Sequence, residues 1–110
     1  MRKIDMRKVD WTTCPGSELV GPSLQKYVEQ GIEPGGFLTN VLMNNLFGAC
    51  THADPQNEQS LRWIVTWVFS TLPTGSYGSR GNVMWWLTLP DEEREAYLEK
   101  EVSPTWEVRE

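Results

Sequence analysis

The spacing of apolar residues predicts that the chain folds as a series of short helices. In the first, Leu24, Tyr27 and Val28 fall at positions i, i+3 and i+4, which places them on one face of a helix. Pro22 suits the first turn, because its missing N–H would have no helical partner there. Gly31 can end the helix in a left-handed conformation. We therefore predict helix one between Pro22 and Gly31.

The second predicted helix, from about Phe37 to His52, carries no charged side chain. At about 100° per residue, five of its apolar residues share one face: Leu38, Val41, Leu42, Leu46 and Ala49. Asn45 falls on that same face, so its amide needs a hydrogen-bond partner. Asn40 and Asn44 lie among neutral residues on the back. Such a helix is either covered on both sides or presents a neutral surface to a partner.

The third predicted helix starts at Asp54 and Pro55, which suit the N-cap and the first turn. Its core stripe repeats at helical spacing: Leu61, Ile64, Val65, Val68 and Leu72. Trp63 and Trp67 lie one turn apart on the opposite face. Since one stripe already serves the core, this tryptophan pair needs a second neighbour, which is another helix of the chain, a second subunit or a ligand.

The rest of the chain predicts two further helices and a tail. A loop of small residues, 74–79, precedes a short helix over about 80–87, with Ser79 as its N-cap. An acidic helix follows over 90–102, with carboxylates at its positive end. The tail, 103–110, has an alternating pattern that is compatible with a short strand.

These elements predict an all-α protein, a compact bundle of four to five short helices in a single domain over residues 1–110. Residues 1–20 are expected to form a flexible or loop-like arm, and residues 21–88 the core helices. Residues 1–10 are a tandem repeat, MRKID and then MRKVD. We interpret this repeat as a charged terminus with Met6 as a second potential start; a basic arm that contacts a partner is the alternative.

Composition supports one globular domain but adds one unusual feature. A chain of 110 residues with 39% hydrophobic and 23% charged residues builds a single core and is neither a disordered tail nor a fibre. The unusual feature is tryptophan, which occurs six times: Trp11, Trp63, Trp67, Trp85, Trp86 and Trp106. A domain this small does not easily bury six indoles, and exposed indoles commonly contact a partner.

The charge distribution argues against direct nucleic-acid binding, because phosphate backbones repel a chain of net charge −5. Residues 91–110 carry eight acids and three bases, so this acidic end can steer basic partners. No segment has the pattern of a signal peptide or the length of a membrane span, which predicts a cytoplasmic protein without membrane contact. Cys14 and Cys50 lack a C-x-x-C spacing; one disulfide is feasible, but reduced thiols are expected.

Three segments of the chain share the pattern of a known group of proteins. They are Glu29–Leu42 (EQGIEPGGFLTNVL) with Asn44-Asn45-Leu46 after it, Ala53–Asn57 (ADPQN), and Pro73–Ser79 (PTGSYGS) before Trp85 and Trp86. In this pattern the chain resembles small, mostly uncharacterised bacteriophage-encoded proteins. The resemblance implies a phage origin, the cytosol of a host cell and, by class, an accessory protein that neutralises host machinery, including immune systems.

Two departures from that family pattern affect the chemistry. The usual Asn-Asp pair is Asn44-Asn45 here, which removes a carboxylate. The usual Ser-Pro-Glu-Lys start of the last tryptophan helix is replaced by Ser79-Arg80-Gly81-Asn82, which places a lone arginine next to the Gly-rich loop.

No residue pattern indicates an active site, a cofactor or a metal site. His52 is the only histidine, and Cys50 and His52 would point about 200° apart on a helix. The loop before Arg80 is the other candidate, because glycines, Ser79 at a helix N-terminus and the side chains of Tyr77 and Arg80 together suit a phosphate or a small nucleotide. The same residues also make an ordinary turn between helices, which is the interpretation we favour.

We therefore predict a non-enzymatic inhibitor that binds and neutralises a host protein, expected to be a defence protein, and that forms a homo-oligomer. The candidate binding residues are Trp63, Trp67, Trp85, Asn40 and Asn44. The alternative is a sponge that sequesters a small nucleotide signal through Tyr77, Ser79 and Arg80. An enzyme ranks third.

Overall fold

The computed structural model of the protein describes residues 9–99. These residues form a short 3-10 helix and six α-helices, with no strand among them. The 3-10 helix covers Trp11–Thr13, and the α-helices are α1 (Val20–Gln30), α2 (Gly36–Leu42), α3 (Leu46–His52), α4 (Pro55–Thr71), α5 (Arg80–Thr88) and α6 (Asp91–Glu99). The all-α prediction is confirmed. The first eight residues of the N-terminal repeat, Trp106 and the predicted tail lie outside the described residues.

The predicted capping residues begin or end their helices as expected. The Asp54 carboxylate accepts a hydrogen bond from the Asn57 N–H over 2.8 Å at the start of α4. The Ser79 hydroxyl oxygen accepts from the Asn82 N–H over 3.1 Å at the start of α5. Gly31 follows α1 with a φ of 67°, in the left-handed conformation that glycine adopts without strain.

The predicted helix over residues 37–52 is two helices, α2 and α3, joined at Asn44. Asn44 has a φ of 61°, a left-handed conformation through which a right-handed helix cannot continue. Asn45 then caps α3, because its side-chain oxygen accepts from the Gly48 N–H over 3.2 Å. The break gives six helices where four to five were expected. It also turns Leu46 away from the core, where a continuous helix would have placed it.

Two aromatic rings from distant parts of the chain hold the core together. Trp86 in α5 is fully buried, and its indole N–H donates to the Tyr27 carbonyl over 2.9 Å. Tyr27 in α1 is also fully buried, and its hydroxyl donates to the Ser76 carbonyl over 2.6 Å. Burial raises the pKa of the Tyr27 hydroxyl. These two bonds fix α1, α5 and the loop between α4 and α5 relative to one another.

Arg94 attaches the acidic helix α6 to the end of α1. Its side chain is only 3% exposed and donates to the Leu89 carbonyl over 2.7 Å and to the Asp91 carboxylate over 2.8 Å. The guanidinium lies against Gly31, where an added Cβ would come within 2.3 Å of an Arg94 nitrogen. Glycine is therefore required at this position by space as well as by backbone conformation.

None of the described helices is both long enough and apolar enough to cross a membrane.

Candidate binding surfaces

Trp63 lies on the outward face of α4 and is 58% exposed. The Arg62 guanidinium carbon lies 5.1 Å from the centre of its ring, within the range of a cation–π contact. The neighbouring hydroxyls on this side of α4 are already bonded, since Thr66 donates to the Arg62 carbonyl and Ser70 donates to the Thr66 carbonyl. A partner can cover this surface without leaving those hydroxyls unsatisfied.

Trp67 has the second neighbour that the sequence required, and that neighbour belongs to the same chain. Its ring packs on Trp11 with centroids 5.8 Å apart, and its indole N–H donates to the Thr13 hydroxyl over 3.4 Å. Trp11 itself is buried. The 3-10 helix thus covers Trp67, and this part of the predicted N-terminal arm belongs to the core.

Asn40 and Asn44 line a groove of about 210 Å³ between α2, α3 and α4. Apolar side chains form most of its wall: Val41, Leu46, Ala49, Leu61 and Val65. Asn40 is held in place, because its amide donates to the Gly36 carbonyl over 2.7 Å and its side-chain oxygen accepts from the Asn45 amide over 2.8 Å. The groove lining contains no charged residue.

Large apolar side chains of α3 and α4 are exposed to solvent, and two of them, Leu46 and Val65, line the groove. Phe47 is 86% exposed and Leu46 is 64% exposed, although both belong to the short helix α3. Val65 and Phe69, one turn apart on α4, are also exposed. We call the groove, with its exposed lining residues Leu46 and Val65, the α3–α4 surface.

Sequence reasoning missed this surface because it assigned Leu46 and Val65 to core stripes. The assignment of Leu46 followed from treating residues 37–52 as one helix, and that of Val65 followed from its helical spacing with Leu61 and Val68. The pair Asn44-Asn45 is the signal that could have corrected it, since asparagine is enriched both at left-handed positions and at N-caps.

The Trp85 ring packs against residues of α5 and α6, and part of the ring is exposed. Its ring makes edge-on contacts with Trp86 and Tyr97, each with centroids 5.9 Å apart. A Cβ at Gly75 would lie 3.3 Å from the same ring, so the loop before α5 also rests on it. The ring remains 43% exposed.

The polar groups of the loop that contains Tyr77 and Ser79 form hydrogen bonds within the chain. The Tyr77 hydroxyl donates to the Phe69 carbonyl over 3.0 Å, and the Gly78 N–H donates to the Leu42 carbonyl over 2.7 Å. Ser79 caps α5, as described above, whereas Arg80 is exposed. These bonds join α2, α4 and α5, which is what a structural turn between helices requires.

A second cavity, of about 290 Å³, lies where the starts of α1, α2 and α4 meet. Its lining mixes polar and apolar groups and includes Ser17, Ser23, Gly35, Gly36, Phe37 and His52. The His52 Nδ1 lies 2.8 Å from the Gly48 carbonyl, so Nδ1 carries the proton in that bond. The opposite edge of the ring lies over Gly36, where an added Cβ would be 2.9 Å from the ring carbon Cδ2.

The described residues contain two cysteines and no cluster of metal-ligating side chains. Within residues 9–99, no group of three or more histidine, cysteine, aspartate or glutamate side chains is placed to hold a metal ion. Cys14 and Cys50 are both free thiols. Burial raises the pKa of the Cys14 thiol to about 12, which keeps it protonated and unreactive near neutral pH.

No protein-family model, curated protein or solved structure matches the chain. The resemblance to phage-encoded proteins therefore stays a prediction that depends on the motifs quoted above.

The predicted partner-binding residues do not form one site. Trp63 and Val65 point roughly 200° apart around α4, so Trp63 faces away from the groove that contains Asn40 and Asn44. Trp67 is covered by the 3-10 helix, and Trp85 lies on α5. The chain thus has two separate candidate surfaces, one around Trp63 and one between α3 and α4.

Proposed function

We propose that the protein is a non-enzymatic, phage-type inhibitor that binds and neutralises a host protein, with defence proteins as the expected class of target. The observation that supports this proposal is the exposed Trp63 with Arg62 over its ring. Tryptophan and arginine are enriched among the few interface residues that carry most of the binding free energy. Here both types occur together on one helix face.

The surroundings of Trp63 suit the centre of a protein interface. The hydroxyls of Thr66 and Ser70 are bonded to carbonyls of their own helix, so burying them costs little. Trp67, one turn further along the same side of α4, packs on Trp11. Tryptophan has only two side-chain torsions, so ordering its large ring on binding costs little conformational entropy.

Negative charge on α6 would favour a basic target. Asp91, Glu92 and Glu93 occupy the first turn of this helix, and all three are exposed. A concentration of acids raises the association rate with a positively charged surface, and the increase is lost at high salt. We expect capture of the target to weaken as ionic strength rises.

The test is capture of a target from host lysate, followed by affinity measurements with the isolated target. Replacing Trp63 by alanine should weaken binding by about 2 kcal/mol, which is roughly 30-fold in Kd. Met84→Ala is the control, because it removes another exposed apolar side chain that lies on α5, outside both candidate surfaces. Equal affinity of the wild type and Trp63→Ala would contradict the proposal.

A sponge for a small nucleotide is the second candidate, and the 290 Å³ cavity favours it. The cavity approaches the size of small-ligand sites, and it combines an aromatic ring, two serine hydroxyls and the exposed backbone of a glycine pair. Its lining also includes the Asp54 carboxylate and, within residues 9–99, no lysine or arginine, so a phosphate group would have to lie away from Asp54. A Cβ at Gly35 would meet no atom within 4 Å, so the backbone there is open to a ligand. This location differs from the loop that the sequence suggested.

Calorimetric titration with a panel of mononucleotides and cyclic nucleotides tests the sponge and its location together. Binding that is lost in His52→Ala and kept in Arg80→Ala would place the ligand in the cavity. The reverse result would place it at the loop before α5. No heat and no shift in melting temperature with any nucleotide would remove this candidate.

A further inference from the structure

Two side chains that line the 290 Å³ cavity are hydrogen-bond acceptors. Asp54 contributes its carboxylate, and His52 contributes its ring. The hydrogen bonds of His52 within residues 9–99 all involve Nδ1, which carries the proton in the bond to the Gly48 carbonyl. In the neutral ring with this tautomer, Nε2 has a lone pair and accepts a hydrogen bond. The cavity therefore suits a ligand that donates hydrogen bonds.

The Asp54 carboxylate is held in a fixed orientation and still has acceptor capacity. Its Oδ1 accepts from the Asn57 N–H over 2.8 Å, and its Oδ2 lies 3.4 Å from the Asn57 side-chain nitrogen. Asn57 is only 7% exposed, and its own side-chain oxygen accepts from the Ser17 N–H over 2.9 Å. Since an ionised carboxylate has about four lone-pair sites, Asp54 can accept further hydrogen bonds from a ligand.

The remaining walls of the cavity suit an apolar ring. Val20, Phe37 and Leu38 are buried side chains that line it, and Leu19, which is 70% exposed, lines it as well. Small-molecule sites typically combine such apolar walls with a few polar groups that fix the orientation of the ligand. A nucleobase has the matching properties, because its faces are apolar and its edge carries N–H groups.

Charge determines which end of a nucleotide lies in the cavity. The chain has a net charge of −5, and the cavity adds the Asp54 carboxylate without a lysine or arginine within residues 9–99. This field repels phosphate and favours hydrogen-bond donors. Among the bases, guanine, adenine and cytosine carry an exocyclic amino group, which is such a donor, whereas uracil and hypoxanthine lack one.

We infer that this cavity binds an amino-bearing nucleobase, whose N–H groups donate to Asp54 and His52 while the phosphate stays in solvent. The inference rests on the nucleotide sponge, the second candidate function, and names the part of the ligand that is recognised. It does not depend on the proposed host target of Trp63.

Matched pairs of nucleosides test the inference without altering the protein. Calorimetric titration of the full chain compares guanosine with inosine and cytidine with uridine, because each pair differs by the amino group. A hydrogen bond to a charged group should make the amino-bearing member bind roughly 10- to 100-fold more tightly. Guanosine monophosphate should bind no more tightly than guanosine. Equal Kd values within both pairs, or a much tighter monophosphate, would overturn the inference.

Asp54→Asn tests the assigned acceptor. Asparagine caps helices as well as aspartate does, so α4 should keep its start and the melting temperature should change little. The preference for guanosine over inosine should be lost, since the carboxylate is gone. Glu58→Gln is the matched control, because it removes the same charge from an exposed residue of α4 outside the cavity, and it should keep the preference. An unchanged preference in Asp54→Asn would refute the role of Asp54.

The outcomes also separate this inference from the sponge itself. Nucleotides that bind with equal affinity whatever their base would leave the sponge standing and remove the inference. Binding that is lost in Arg80→Ala and kept in Asp54→Asn would place the ligand at the loop before α5, with the same consequence. No heat with any nucleoside or nucleotide would remove both.

Discussion

Replacing Gly31 by alanine should displace Arg94 and loosen α6 from α1. Gly31 has a φ of 67°, and an alanine in this left-handed conformation costs roughly 1–2 kcal/mol. The new Cβ would lie 2.3 Å from Nη2 of Arg94 and 2.6 Å from its Cζ, far inside van der Waals contact. Because Gly31 is fixed by the end of α1, the guanidinium is the group that moves.

The cost of moving Arg94 follows from its two hydrogen bonds. The bond to the Leu89 carbonyl is a charge-assisted bond of a buried side chain, and losing it costs about 1.5–3 kcal/mol. The ion pair with Asp91 adds little, because the Asp91 side chain is 94% exposed and stays solvated. With the backbone cost, Gly31→Ala should lower the free energy of unfolding by roughly 3–4 kcal/mol, a large share of the stability of a domain this size.

Urea unfolding followed by tryptophan fluorescence measures this loss, and a double-mutant cycle assigns it. In an Arg94→Ala background the steric conflict is absent, so Gly31→Ala should cost only the backbone term. The cycle should therefore give a coupling of about 2 kcal/mol between the two positions. Gly78→Ala is the control, since Gly78 also has a positive φ but its added Cβ would meet no atom closer than 3.7 Å. An equal cost of Gly31→Ala in both backgrounds would refute the reasoning.

Four further predictions concern single residues. Tyr27→Phe removes the buried bond to the Ser76 carbonyl and should lower the free energy of unfolding by about 1–3 kcal/mol in urea titrations; an unchanged midpoint would show that the bond contributes nothing. Asn45→Ala removes the N-cap of α3 and should cost about 1 kcal/mol, with a loss of helical circular dichroism that Asn45→Asp does not produce. At neutral pH a thiol reagent should modify the exposed Cys50 and spare Cys14 until the protein unfolds, so two reactive thiols in the native state would contradict the burial of Cys14. The raised pKa of Cys14 also means that the unfolded thiol ionises first, so its contribution to stability should fall as pH rises from about 8.5 towards 12, and Cys14→Ala should weaken this dependence.

Local chemistry determined most of what the sequence predicted correctly. Asp54 and Ser79 begin helices because their side chains accept from a backbone N–H three residues on, a preference that needs no tertiary context. Gly31 ends α1 for an equally local reason, its freedom to adopt a positive φ. These positions fixed the order and the approximate length of α1, α4 and α5.

Long-range contacts determined what the sequence did not predict. The periodicity of residues 37–52 is compatible with one helix, and only the conformation of Asn44 separates α2 from α3. Trp67 is covered by Trp11, a residue more than fifty positions away in a segment that was expected to be a loop-like arm. Arg94 belongs to the predicted acidic helix over 90–102, yet its side chain is buried against the end of α1. No spacing rule connects these residues.

The abundance of tryptophan predicted an apolar surface shared with a partner, but several of the tryptophans pack inside the chain. Trp11 and Trp86 are buried and Trp67 is partly covered, so the indoles serve the core more than their number suggested. Phe47 is the opposite case. A core phenylalanine costs about 3–5 kcal/mol when it is truncated to alanine, because burial is lost and a cavity forms. Phe47→Ala should leave the unfolding free energy of the isolated chain within about 0.5 kcal/mol of the wild type, as expected for a surface position, because the side chain already lies in water. If Phe47→Ala instead destabilises a monomeric chain by several kcal/mol, Phe47 packs inside its own chain, which would contradict its exposure.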